Sequence, residues 1–123
     1  GEISRLIFAL KTSLAEKYQF PTLVFDEIDA GLGGTALTAV AQKASRLAAR
    51  HQLILVTHSP QLASYADQHL HIDKYVENGR TFTRVAQLDE PERIRELARM
   101  LDGDDYTELT LEHARELMNH RSK

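Results

Sequence analysis

The sequence contains no cysteine, which excludes disulfides and thiolate metal sites and fits a reducing compartment. It carries no basic excess either. The formal net charge is −3, whereas a surface that grips nucleic acid by its phosphates is normally rich in Lys and Arg. If the protein touches DNA, most of the contact is expected outside these residues, or on a small local patch. No apolar run approaches the roughly 20 residues that a membrane-spanning helix needs, and no signal-peptide pattern opens the chain. Repeats and low-complexity tracts are absent, as is any G-x-x-x-x-G-K-[ST] phosphate loop. What is present is an ordinary globular balance, 42% hydrophobic and 27% charged over 123 residues, enough for one domain with a real core.

Ile3, Leu6, Ile7, Leu10 and Leu14 recur at helical spacing, which predicts a helix to about Lys17 that buries this stripe. That helix begins almost at Gly1, so the chain reads as a piece of something longer. After Pro21, Thr22-Leu23-Val24-Phe25 is a short apolar strand, expected to be covered on both faces as in a parallel sheet. Gly31, Gly33 and Gly34 predict a loop, with Thr35 capping the next helix. That helix, ending near His51, carries Leu37, Val40, Ala41, Ala44, Leu47 and Ala48 on one stripe. Leu53 to Val56 is a second apolar strand, which completes a βαβ unit with an expected right-handed crossover.

Pro60 opens a short helix ending near Asp67. Two strands, His69 to Glu77 and Arg80 to Leu88, flank Asn78-Gly79, a strong hairpin signal. Leu70, Ile72 and Val76 alternate with polar residues, which predicts one dry face and one wet face. Asp89 with Glu92 resembles a helix start, and Ile94, Leu97, Ala98 and Leu101 supply its buried stripe up to Asp102-Gly103. A last helix from about Thr107 to His120 uses Leu111, Ala114, Leu117 and Met118. The expected fold is α/β in one domain, residues 1–123: a parallel βαβ core, then a hairpin and two terminal helices.

The chemistry gathers at two strand ends. Asp26 and Glu27 close the first apolar strand, and ligands of parallel sheets bind outside the carboxyl ends of strands. In nucleotide hydrolysis, adjacent carboxylates divide the work: one helps to hold Mg²⁺ on the phosphates and the other orients and polarises the attacking water. The plainer alternative is that the strand has ended and the acids face solvent. Thr57-His58 ends the second strand, about thirty residues on, so βαβ geometry brings His58 beside the acids. There it can reach a γ-phosphate or hold the water and Glu27 in register. The glycine-rich stretch from Asp29 to Gly34 is either an ordinary connection or a contact loop beside the phosphates. Gly1 and Glu2 precede a helix whose free N–H groups suit phosphate, although two residues carry little specificity. Arg46, Arg50 and His51 form a basic cluster that a solvated helix face explains.

Taken in order, Gly1-Glu2 before a helix, Thr22 to Glu27, Asp29-Ala30-Gly31-Leu32 and Val56-Thr57-His58 resemble consecutive elements of the ABC ATPases. They match the tail of the signature motif, the Walker B strand, the D-loop and the switch histidine. Phe25 to Ala30 is similar to the SMC-like branch, whose heads are split by a long coiled coil. Val56 to Ala63, Ala66-Asp67, His69 to Lys74, Glu92 to Leu101 and His113 to Leu117 resemble a bacterial double-strand-break repair member of that branch. The resemblance covers nearly the whole chain and implies the C-terminal lobe of a P-loop, ABC-type ATPase head. It implies ATP and Mg²⁺ as cofactors, with Asp26 as the metal carboxylate, Glu27 as the base and His58 as the γ-phosphate sensor. Gly1 and Asp29 would be nucleotide-side contacts, Gly1 acting in trans.

The implied partners are the N-terminal lobe of the same protein, a second head in an ATP-dependent dimer, and DNA held mainly by other regions; no membrane is implied. The implied location is the bacterial cytoplasm, in association with the nucleoid. Gly33 stands where many ABC D-loops carry a second Asp, so the carry-over stops at Asp29. Without a phosphate loop, the chain alone is expected not to hydrolyse ATP. Three other readings stay open: a transporter ATPase subunit, a metal-dependent nuclease using Asp26, Glu27 and Asp29, and a non-catalytic interaction module.

Overall fold

The computed structural model describes residues 2–120. The chain divides into two compact units, residues 1–65 and 66–123. The first contains α1 (Glu2–Tyr18), β1 (Thr22–Asp26), α2 (Gly34–Ala48), β2 (Gln52–Val56) and α3 (Pro60–Ser64). Strands β1 and β2 pair in parallel, from Thr22 opposite Gln52 to Asp26 opposite Val56, with α2 as the connection. The expected α/β core is therefore present.

Alternation decides which strand residues are buried. Leu23 and Phe25 of β1 point into the core, where Leu53 and Leu55 of β2 pack against the same cluster. Phe8 of α1 meets Phe25 edge to face, with ring centroids 4.9 Å apart. Helix α2 contributes Leu37, Ala41, Ala44 and Leu47, as its stripe predicts, and α3 adds Leu62. The opposite strand face differs from the expectation of two covered faces, because Val24, Ile54 and Val56 are exposed. The apolar runs of β1 and β2 are consequently half-covered within the described residues.

Helix α1 is also turned relative to its predicted stripe. Phe8, Thr12 and Ala15 face the core, while Ile3, Leu6, Ile7, Leu10 and Leu14 are exposed. Small side chains at 12 and 15 permit a close approach, and the Thr12 hydroxyl is satisfied by donating to the Phe8 carbonyl at 2.7 Å. Thr35 does not cap α2: the cap position is Gly33, which makes no side-chain hydrogen bond. Ser59 caps α3 by accepting from the Leu62 N–H, and this helix stops at Ser64, short of Asp67.

The second unit contains β3 (Leu70–Glu77), β4 (Arg80–Gln87), α4 (Glu90–Asp102) and α5 (Glu108–His120). Strands β3 and β4 form an antiparallel hairpin closed by Asn78 and Gly79, both with positive φ (49° and 74°). Two such residues are what a type I′ turn requires. The Asp89 side chain accepts from the Glu92 N–H at 2.9 Å, and Glu92 accepts from the Asp89 N–H, a capping box at the expected helix start. Leu97, Ala98 and Ala114 are buried.

The hairpin's faces are reversed from the prediction. Leu70, Ile72 and Val76 lie exposed, whereas His71 and Asp73 on the other face are half-buried. A polar link to α4 draws that second face inward: His71 Nδ1 lies 3.1 Å from Glu96 Oε1, and Glu96 also accepts two hydrogen bonds from Arg99. Burial pushes Glu96 up, but the hydrogen bond and charge of Arg99, with His71 and His69 nearby, bring it below the ordinary carboxylate range. Burial, followed by the neighbouring Arg93 charge, holds His69 below the usual histidine value.

Candidate functional site

The two strand ends meet as the sequence predicts. Parallel register sets Asp26 opposite Val56, and the Glu27 N–H continues the ladder by donating to the Val56 carbonyl at 2.9 Å. Glu27 then turns out of the sheet at φ 51°, a left-handed conformation that an L-residue adopts at a cost. This turn delivers its carboxylate toward the end of β2, where Glu27 Oε1 lies 3.9 Å from His58 Nδ1. The two side chains are 59% and 74% exposed, so both are open to a ligand arriving from solvent. Asp26 is likewise exposed at the end of β1.

Asp29 is different. It is 4% exposed, and its Oδ2 accepts from the Thr57 hydroxyl at 2.6 Å. The same Thr57 oxygen accepts from the Ser59 N–H at 2.9 Å. Ile28, beside it, is anchored in the core. Arg5 of α1 donates to the Ala30 carbonyl at 3.2 Å and so ties that helix to the loop. Gly1 lies outside the described residues. Sequence reasoning placed Asp26, Glu27, Asp29 and His58 in one neighbourhood but missed the parts of Thr57 and Arg5. A hydroxyl residue directly before His58 was the available signal for Thr57; nothing in the spacing marked Arg5.

The DNA repair protein RecN of Deinococcus radiodurans is 48% identical over 118 residues, 96% of this chain and 20% of its own length. The chain belongs to the RecN family. RecN of Bacillus subtilis is 39% identical over the same shares of the two chains, and RecN of Rickettsia prowazekii 44% over 96% of this chain and 21% of that one. The chain thus spans about a fifth of the length of the curated relatives it matches. No family model matches. A solved SMC ATPase structure, from work on ATP-driven dimerization and DNA-stimulated activation of such ATPases, superimposes with a TM-score of 0.63 at 22% identity. It covers 83% of this chain and 61% of that one, a likeness that shows a shared α/β fold.

The RecN-family segment holds no helix among its described residues long and apolar enough to cross a membrane. Nor do these residues gather three or more His, Cys, Asp or Glu side chains as a cation site. Asp26 and Glu27, exposed side by side at the end of β1, are oxygen donors of the kind that Mg²⁺ uses together with substrate phosphates and water.

Proposed function

We propose that this segment is the C-terminal catalytic lobe of an ATP-hydrolysing head in a protein that repairs DNA double-strand breaks, both compact units serving the one lobe. The observation that carries the reading is the approach of Glu27 Oε1 to His58 Nδ1, 3.9 Å, at the carboxyl ends of adjacent parallel strands. Asp26 would hold Mg²⁺, which when bound neutralises charge on the β- and γ-phosphates. Glu27 orients the attacking water and accepts its proton, and its exposure leaves room for that water. His58 donates to the γ-phosphate and keeps Glu27 in register. Gly1 and Asp29 would be the nucleotide-side contacts, Gly1 serving the ATP of a second head across an ATP-dependent dimer and Asp29, whose side chain is buried and bonded to Thr57, acting through its loop. Cycles of head association and hydrolysis then couple to holding or bridging DNA through other regions, in the bacterial cytoplasm at the nucleoid.

The lobe alone supplies no phosphate loop, so hydrolysis requires the N-terminal lobe of the same protein. Turnover is therefore expected to be absent from the purified 123-residue chain and to appear when a separately produced N-terminal lobe is added. Turnover by the chain alone would overturn this division of labour. The two-cation nuclease alternative asks Asp26, Glu27 and Asp29 to converge. Asp29 is instead buried and engaged by Thr57 while the other two face solvent, which favours the ATPase reading.

A further inference from the structure

Beside the exposed Glu27–His58 pair, a part-buried polar link joins the loops that carry them. Thr57 directly precedes His58, and Asp29 follows Glu27 by two positions. The Thr57 hydroxyl spends its single proton on Asp29 Oδ2, at 2.6 Å, and uses a lone pair to accept the Ser59 N–H, at 2.9 Å. Ser59 in turn caps α3, so the link runs from the loop after β1, through one oxygen, to the start of that helix. Asp29 Oδ1 is buried and has no hydrogen-bond partner among the described residues, which leaves the Thr57 bond as the described tether of this carboxylate. A buried carboxylate is costly to leave unbonded, so the tether resists breaking.

We propose that Thr57 is a positioning residue for ATP hydrolysis: its hydroxyl holds the Glu27 and His58 loops at a fixed separation. The inference rests on the ATPase reading of the site and deepens it. Both side chains of the pair are more than half exposed, and the backbone beneath them is joined by the Glu27 N–H to Val56 carbonyl bond. The pair's 3.9 Å approach is set by the backbone on either side, and Thr57–Asp29 is the side-chain bond that spans the two sides. Loosening it changes the reach of Glu27 and His58 without touching the residues assigned to the nucleotide's metal.

The test uses the full-length protein that contains this segment. Thr57→Val keeps the β-branched shape but removes the hydroxyl, whereas Thr57→Ser keeps the hydroxyl. Thr57→Val is expected to lower kcat by about ten- to a hundredfold, the scale of a small misplacement of reacting groups, with KM for ATP changed by less than about twofold. Thr57→Ser is expected to restore kcat to within about threefold of the parent, since the hydrogen bond is regained. If the Val variant does not fold, Thr57→Ala, which adds no bulk, must show the same split between kcat and KM. Unchanged kcat in the variants lacking the hydroxyl would overturn the proposal, as would a Ser variant as impaired as Val. Glu27→Gln, measured alongside, separates two failures. If it too hydrolyses ATP normally, the ATPase assignment of the site is at fault; if it is inactive while Thr57→Val is normal, only the role of Thr57 is.

Discussion

Glu27→Gly separates what the backbone wants at position 27 from what the reaction wants. Glu27 sits at φ 51°, where an L-residue pays about 1–2 kcal/mol relative to the right-handed region. Glycine relieves that strain but gives back about 0.5–1 kcal/mol in lost chain freedom. The side chain contributes little to set against this, since its nearest described ring nitrogen, of His58, is 3.9 Å away and both groups are more than half exposed. Exposed pairs of this kind are worth close to nothing once screened by solvent. The worked expectation is a variant between unchanged and about 1.5 kcal/mol more stable, each 1 kcal/mol corresponding to a rise in Tm of about 4–8 °C for a unit of roughly 60–100 residues. Urea unfolding of the chain followed by circular dichroism measures the first part, and ATP turnover of the full-length protein, expected to be lost, measures the second. A destabilisation beyond about 1 kcal/mol would refute the left-handed turn as described, because relief of strain cannot destabilise. Surviving turnover would refute the role of the carboxylate.

Three further outcomes follow from the packing. Phe8→Ala removes a buried ring stacked edge to face on Phe25 and is expected to cost about 3–5 kcal/mol, read by urea unfolding of the first unit. Asp89→Ala breaks the capping box of α4 and is expected to cost about 1 kcal/mol, while Asp89→Asn, which keeps the acceptor, costs less; thermal unfolding of the second unit distinguishes them. The second unit should also lose stability in acid, through two groups acting in the same direction. His69, held below its ordinary 6.5, favours the neutral ring when folded, so protonation of the unfolded chain weakens the fold as pH drops below that value. Glu96, held below its ordinary 4.5, contributes stability that is present above 4.5 and lost as pH falls through its folded value. Unfolding measured from pH 7 down to about pH 3 should show this decline, with Glu96→Gln removing its lower part.

Local signals carried much of the fold. The α2 stripe, the Asn78-Gly79 turn and the Asp89–Glu92 helix start each depend on neighbours within a few residues, and each is present as read. The misreadings arose where distant partners chose between two plausible faces. Helix α1 is apolar around more than one face, and the close fit of Phe8, Thr12 and Ala15 to β1 selected the smaller one. The hairpin turned its polar face inward because Glu96, 25 positions away, engages His71. At the site, apolar strands ending in acids and in Thr-His were enough to bring Glu27 and His58 together. The Thr57–Asp29 bond, 28 positions apart, had no periodic signature to announce it.

The central claim is that the carboxylate of Glu27 performs the hydrolytic step, and Glu27→Gln in the full-length protein tests it most directly. The substitution keeps size, backbone and the capacity to hydrogen-bond water, but removes the base. ATP turnover measured with Mg²⁺, together with ATP-dependent association of the heads, is the readout. Loss of turnover with association retained or strengthened is the predicted result; turnover at the parent rate would contradict it.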